Sequence, residues 1–143
     1  MSMILAPIQS ERIHAIGLLA VRIGISFTFF WASYGKITNP SGFGVTLQNM
    51  AGIDPAISAS MALIIGILEL VSGIFVLTGF LTRPAALFQI VILLGAMVMF
   101  GFDFTKGPAI WKDPAILGIA ICLLLLGSGK FGIDHIVSKR LKP

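Results

Sequence analysis

Residues 57–80 read ISASMALIIGILELVSGIFVLTGF, an apolar run broken by one charge, Glu69. About 20 apolar residues suffice to cross a hydrocarbon core of ~30 Å, so the stretch predicts a transmembrane helix with a carboxylate inside it. A second run, Ile13–Tyr34, has the same character and contains Arg22. A charge near the bilayer centre costs roughly 2.5–3.5 kcal/mol on insertion scales, so each of these residues requires a partner, a water-filled cavity or a function.

Two more blocks follow, Pro84–Phe102 and Pro114–Gly127, separated from the others by Pro/Gly-rich or charged breaks. The fourth is the shortest. Asp113 and Pro114 have the form of an N-cap and first helical residue, with Trp111 and Lys112 as an interfacial approach. The chain as a whole has 143 residues, 57% hydrophobic and 11% charged, with mean hydropathy +1.00. Soluble domains carry roughly 25% charge, which excludes that class. The expected fold is therefore all-α: one integral membrane four-helix bundle over residues 1–143, with spans at about 13–34, 57–80, 84–102 and 114–127.

With four spans, both termini and the Leu81–Arg83 turn share a side that holds Arg12, Arg83, Lys130, Lys139, Arg140 and Lys142. The other side holds Lys36, Lys106 and Lys112. The positive-inside rule then places the N- and C-termini in the cytoplasm, and the basic balance reports topology, not nucleic acid. Met1–Arg12 has neither the basic start nor the apolar region of a signal peptide. In the tail, residues 130–143, Ile133, Ile136, Val137 and Leu141 fall near one helical face beside Lys139 and Arg140, which suits an interfacial helix on anionic lipid. The outer connection, residues 38–55, places Phe43, Leu47 and Met50 at helical spacing and predicts a short amphipathic helix, either packed over the bundle mouth or gating a ligand.

Counting helical rise from the ends of the apolar blocks puts Arg22 and Glu69 ~14 and ~16 Å from the same boundary. Both fall near the midplane, so the expectation is an intramembrane charge pair between adjacent antiparallel helices. Ser26, Phe29, Ser33 and Lys36 continue the Arg22 face as a polar stripe, while Ala62, Gly66 and Gly73 flank Glu69 and permit close helix approach. Gln89 adds an amide that can hydrogen-bond across the bundle. Ser26, Ser33, Tyr34, Lys36 and Gln89 are thus the candidates for a polar pocket, with Tyr34 and Trp31 also readable as interfacial aromatic anchors. Two readings of the buried charges stand: glue between helices, or a pocket that binds a quinone head group, passes protons or orients a neighbouring subunit.

Several chemistries are excluded. A single cysteine, Cys122, cannot cycle an internal disulfide. The two histidines, His14 and His135, lie near the cytoplasmic surface, where they cannot ligate an intramembrane haem. No Walker loop, dinucleotide fingerprint or nucleophile elbow occurs, and no metal site is expected. Catalysis by this chain alone is not indicated.

The order of short motifs resembles the DoxX family of small four-helix membrane proteins. The resemblance rests on Arg22, on Gly35-Lys36 at the end of the first span, and on Glu69 followed by a glycine-rich stretch. It continues through Gly79-Phe80-Leu81-Thr82-Arg83 and Gly127-Ser128-Gly129-Lys130 to Ile133-Asp134. It covers Val21 to Asp134, and its specificity lies in order and spacing. The resemblance implies a multi-pass plasma-membrane protein, in the inner membrane of a Gram-negative cell. It also implies association with respiratory or sulfur redox chemistry, as in thiosulfate:quinone oxidoreductases. The expected role is a cofactor-free subunit of a quinone-linked redox complex, working with other membrane or redox subunits or as a homo-oligomer, with quinone as the ligand. A structural or assembly subunit and an oligomeric small transporter or channel are the alternatives.

Overall fold

The computed structural model describes residues 10–101 and 108–141, and every described element is a helix. Lys106, Lys142 and residues 1–9 lie outside the described residues, as does the side chain of Trp111. The helices are α1 (Glu11–Thr38), α2 (Pro40–Ala51), α3 (Pro55–Thr78), α4 (Thr82–Phe100), α5 (Pro108–Leu126) and α6 (Ile133–Arg140). Three of them, α1, α3 and α4, are long and apolar enough to cross a membrane.

Local chemistry accounts for the breaks. Asn39 closes α1 and opens α2, its side chain accepting from the Gly42 amide at 3.0 Å, with Pro40 in the first turn where no N–H is needed. Asp54 opens α3 in the same way, accepting from the Ala56 amide at 2.8 Å ahead of Pro55. Gly79, at φ +69°, ends α3 in the left-handed conformation that glycine alone adopts without strain.

The amphipathic segment at residues 38–55 is the helix α2, with Leu47 buried beneath it. It is docked on α3: Gln48 Nε2 donates to Ser58 Oγ at 2.7 Å, and a Cβ at Gly44 would lie 3.0 Å from the Ala59 amide. The fourth apolar block differs from its expected form. Helix α5 begins at Pro108, so Pro114 lies inside the helix and Asp113 is not its N-cap. An interior proline is tolerated in a helical membrane protein because neighbouring groups satisfy the carbonyl it frees.

Helix α1 packs most extensively along α3, and α4 along α5, with lighter contact between α3 and α4 and between α1 and α5. The core between these pairs includes Ile25, Phe29, Val76, Ala86, Leu93 and Leu123. Close approach of α1 and α3 depends on small residues, as the sequence suggested. A Cβ on Gly66 would lie 2.8 Å from Lys36 Cβ, and one on Gly73 would meet the Phe30 ring. Large apolar side chains such as Phe27, Val71, Val98 and Leu125 stand exposed around the outside, which is the surface a bilayer covers.

Candidate functional site: an ion-paired cavity

At one end of the molecule the two helix pairs are tied together. The Arg22 guanidinium is buried and donates three hydrogen bonds: Nε to the Val76 carbonyl at 2.8 Å, Nη2 to the Leu77 carbonyl at 2.5 Å, and Nη1 to the Ser128 carbonyl at 3.0 Å. Val76 and Leu77 lie in the last turn of α3, whose carbonyls have no partner within the helix. A cation is the favoured group at that negative end of the helix dipole. Asp134 adds a second tie. Its carboxylate accepts from the Leu81 and Thr82 amides at 2.8 and 2.9 Å, and its own amide donates to the Gly79 carbonyl at 2.8 Å. Helix α4 has no capping side chain of its own, so Asp134 supplies the cap from the far end of the sequence.

At the other end the pairs part around a cavity of about 460 Å³ beneath α2. Its walls are mostly apolar, with Phe29, Phe43, Leu93 and Met99 among them. Set into that wall is the salt bridge of Lys36 and Glu69, whose side chains are 11% and 6% exposed. Lys36 Nζ donates to both carboxylate oxygens, at 2.9 and 2.7 Å, and to the Ala32 carbonyl at 3.1 Å. The ammonium also lies 4.7 Å from the centroid of the Phe43 ring, a cation–π distance that ties α2 to the pair. A second ion pair, Lys112 with Asp113 at 2.8 Å, lines the same cavity from α5.

The expected contact of Arg22 with Glu69 is not formed. Helical side chains lean toward the N-terminus of their own helix. On antiparallel neighbours, Arg22 therefore leans toward the start of α1 and the end of α3, while Glu69 leans the opposite way. Lys36, packed at the level of Gly66 and so less than one turn from Glu69, leans back onto the carboxylate. Counting from the ends of the apolar blocks misplaces Arg22, because α1 begins at Glu11 and brings Arg22 opposite Gly79, where a Cβ would lie 2.6 Å from its Nη2.

The remaining candidates divide. Ser33 is buried and bonds back to the Phe30 carbonyl at 2.8 Å. Ser26 and Gln89 are fully buried, and their Oγ and amide atoms have no partner among the described residues. Neither they nor Ser33 line the cavity. Tyr34 and Trp31 are not pocket residues, being 67% and 75% exposed on the outer surface of α1. Phe43, Lys112 and Asp113 were absent from the sequence-based site. Phe43 could have been found from its place on the amphipathic face of α2; Asp113 was obscured by the proline that follows it. Ser128 and Asp134 belong to the tied end, and the motifs holding them had marked that region.

A helical protein with three helices long and apolar enough to cross a membrane, apolar outer faces and an apolar cavity holding an ion pair is a multi-pass integral membrane protein. The DoxX profile matches residues 17–101, and this chain belongs to the DoxX family. It is similar to the inner membrane proteins YqjF and YphA of Escherichia coli K12, each 30% identical. The YqjF match covers 91% of this chain and 98% of that protein, and the YphA match covers 82% and 88%. An uncharacterized membrane protein of Mycobacterium tuberculosis, Rv3486, is 29% identical over 94% of this chain and 91% of its own length. No solved structure matches. The chain is a multi-pass protein of the plasma membrane.

Proposed function

We propose that the chain is a cofactor-free membrane subunit of a respiratory or sulfur-linked redox complex, and that its cavity receives a quinone head group. In this reading α1, α3, α4 and α5 form one four-helix bundle. The end carrying Arg12, Arg83, Lys130, Lys139 and Arg140 faces the cytoplasm.

The observation that carries the proposal is the Lys36–Glu69 pair set in the wall of an otherwise apolar cavity. Small-molecule sites have this make-up: ~300–1,000 Å³, largely hydrophobic and aromatic, with a few polar groups that fix orientation. The residues present fit a quinone. Phe43 and Phe29 offer flat apolar surface, Glu69 offers an acceptor to a quinol hydroxyl, and Lys36, whose three N–H donors are held by Ala32 and Glu69, gives a donor to a carbonyl by exchanging one of those bonds. When bound, a quinone supplies two-electron, two-proton carriage that no side chain here provides. The protein's part is to orient the head group and keep a charged donor and acceptor beside it at low water content.

A direct test is equilibrium binding of a short-tailed quinone to the purified chain in lipid nanodiscs. Saturable binding is expected, and Lys36→Met and Glu69→Gln should each weaken it about tenfold or more, the scale of one lost charge-assisted hydrogen bond. Wild-type protein that is folded and binds no quinone sinks the proposal.

The Arg22 node favours a structural role for that residue. Its donors are spent on three backbone carbonyls and it does not line the cavity. It stands as helix glue, separate from the ligand site.

A further inference from the structure

The tail helix α6 is eight residues long, too short to be stable in water by itself. Its N-terminus is nonetheless fixed in place, because the backbone and carboxylate of Asp134 are bonded to Gly79, Leu81 and Thr82. That turn joins the end of α3 to the start of α4, two helices long and apolar enough to cross a membrane, so α6 begins at the level of the ends of both.

From this anchor α6 turns an unpartnered apolar stripe outward. Ile133, Ile136 and Val137 are exposed, with Phe131 before them and Leu141, 77% exposed, after them. At 100° per residue these α6 positions and Leu141 fall on one side of the helix, while Asp134, His135 and Ser138 fall on the other. Arg140 lies within the apolar arc and Lys139 at its margin, and both are exposed. Arg12, Arg83 and Lys130 are also exposed at this end of the molecule, against Glu11, which pairs with Lys130, and Asp134, which is spent on the α4 cap.

We propose that α6 lies flat on the anionic lipid surface of the leaflet at this end, its apolar stripe among the upper acyl chains and Lys139 and Arg140 at the headgroup phosphates. An exposed apolar arc with one cation inside it and another at its margin, held at the membrane boundary, matches the amphiphilic surface of anionic phospholipid in both respects. A helix seated on another protein by the same arc would have to bury Arg140 within the contact, which lipid does not require because the side chain snorkels to the headgroups. The proposal does not depend on what the cavity binds.

The test uses the full chain with Cys122→Ala and a single new cysteine, Val137→Cys or Ser138→Cys, carrying an environment-sensitive fluorophore. The protein is placed in nanodiscs of phosphatidylcholine with or without phosphatidylglycerol, containing lipid with a shallow spin-label quencher. Expected is strong quenching at position 137 and little at 138 in the anionic discs. Adding Lys139→Gln with Arg140→Gln should shift the local on–off equilibrium about 30-fold toward the unbound state, two charges at the surface being worth that much. High salt and pure phosphatidylcholine should act in the same direction. Equal quenching in both lipids, or none in either, overturns the proposal. So does protection of position 137 that rises with the protein-to-lipid ratio, which would assign the face to a second copy of the chain.

Discussion

The cavity pair and the Arg22 node make opposite predictions in double-mutant cycles. Lys36→Met leaves the Glu69 carboxylate in an apolar wall without its counter-ion, and Glu69→Gln leaves the Lys36 ammonium likewise, with the pair's side chains only 11% and 6% exposed. Removing one partner of a buried pair costs about 3–5 kcal/mol, whereas replacing both by apolar groups of similar volume is often neutral. Lys36→Met with Glu69→Leu should therefore return to within about 1–2 kcal/mol of the parent, a coupling of several kcal/mol between the two sites. Arg22→Met removes three hydrogen bonds to carbonyls and should also cost about 3–5 kcal/mol, each bond from a charged donor being worth roughly 1.5–3 kcal/mol before the rest of the node relaxes. Its effect should add to that of Glu69→Gln within about 0.5 kcal/mol, because Arg22 bonds to α3 ~10 Å along the helix from Glu69 and shares no partner with it. Reversible unfolding in mixed detergent micelles, followed by circular dichroism, measures each corner. Strong coupling of Arg22 with Glu69, together with additivity of Lys36 and Glu69, would refute the register described above.

Three further outcomes follow from particular contacts. Gly66→Ala should destabilise by about 1–3 kcal/mol, since its Cβ would lie 2.8 Å from Lys36 Cβ, while Gly24→Ala, with nothing within 4 Å, should gain up to about 1 kcal/mol from helix propensity; the same unfolding assay reads both signs. Asp134→Ala should cost about 1–2 kcal/mol and raise hydrogen exchange selectively at the Leu81 and Thr82 amides, and unchanged exchange there would remove Asp134 as the α4 cap. Tyr34→Ala and Trp31→Ala should leave quinone affinity in nanodiscs unaltered, because both side chains point away from the cavity; a loss of binding in either would place the ligand on the outer surface of α1.

Hydropathy and spacing alone reveal most of the helical order. The apolar blocks locate α1, α3 and α4, the Phe43, Leu47 and Met50 spacing locates α2, and the Ile133–Leu141 pattern locates α6. Pairing is less legible, because an apolar block does not state where its helix meets its neighbour. The glycines at 66, 73 and 79 set the α1–α3 register through contacts with Lys36, Phe30 and Arg22, and only the packed structure reveals which residue each glycine faces. The direction in which helical side chains lean was available from the outset. It turns Lys36, read as the top of a polar stripe, into the partner of Glu69. Asp113 was hidden for a different reason: in a soluble helix Asp-Pro marks a start, whereas here the helix begins at Pro108 and carries the proline through.

The Arg22 bonds also impose a sequence of events on biosynthesis. Their acceptors on α3 lie 54 and 55 residues downstream, and the third, Ser128, lies 106 residues downstream. At roughly 5–20 residues per second, the ribosome reaches the α3 carbonyls ~3–11 s after it has made Arg22. Throughout that interval the first helix carries an arginine with no α3 acceptor yet synthesised for it, at a level opposite Gly79 from which its side chain can snorkel to the headgroups. Until α3 emerges the guanidinium has only headgroups and water as partners. The last tie, through Ser128 and Asp134, closes only after both of those residues have followed α3 and α4 out of the ribosome.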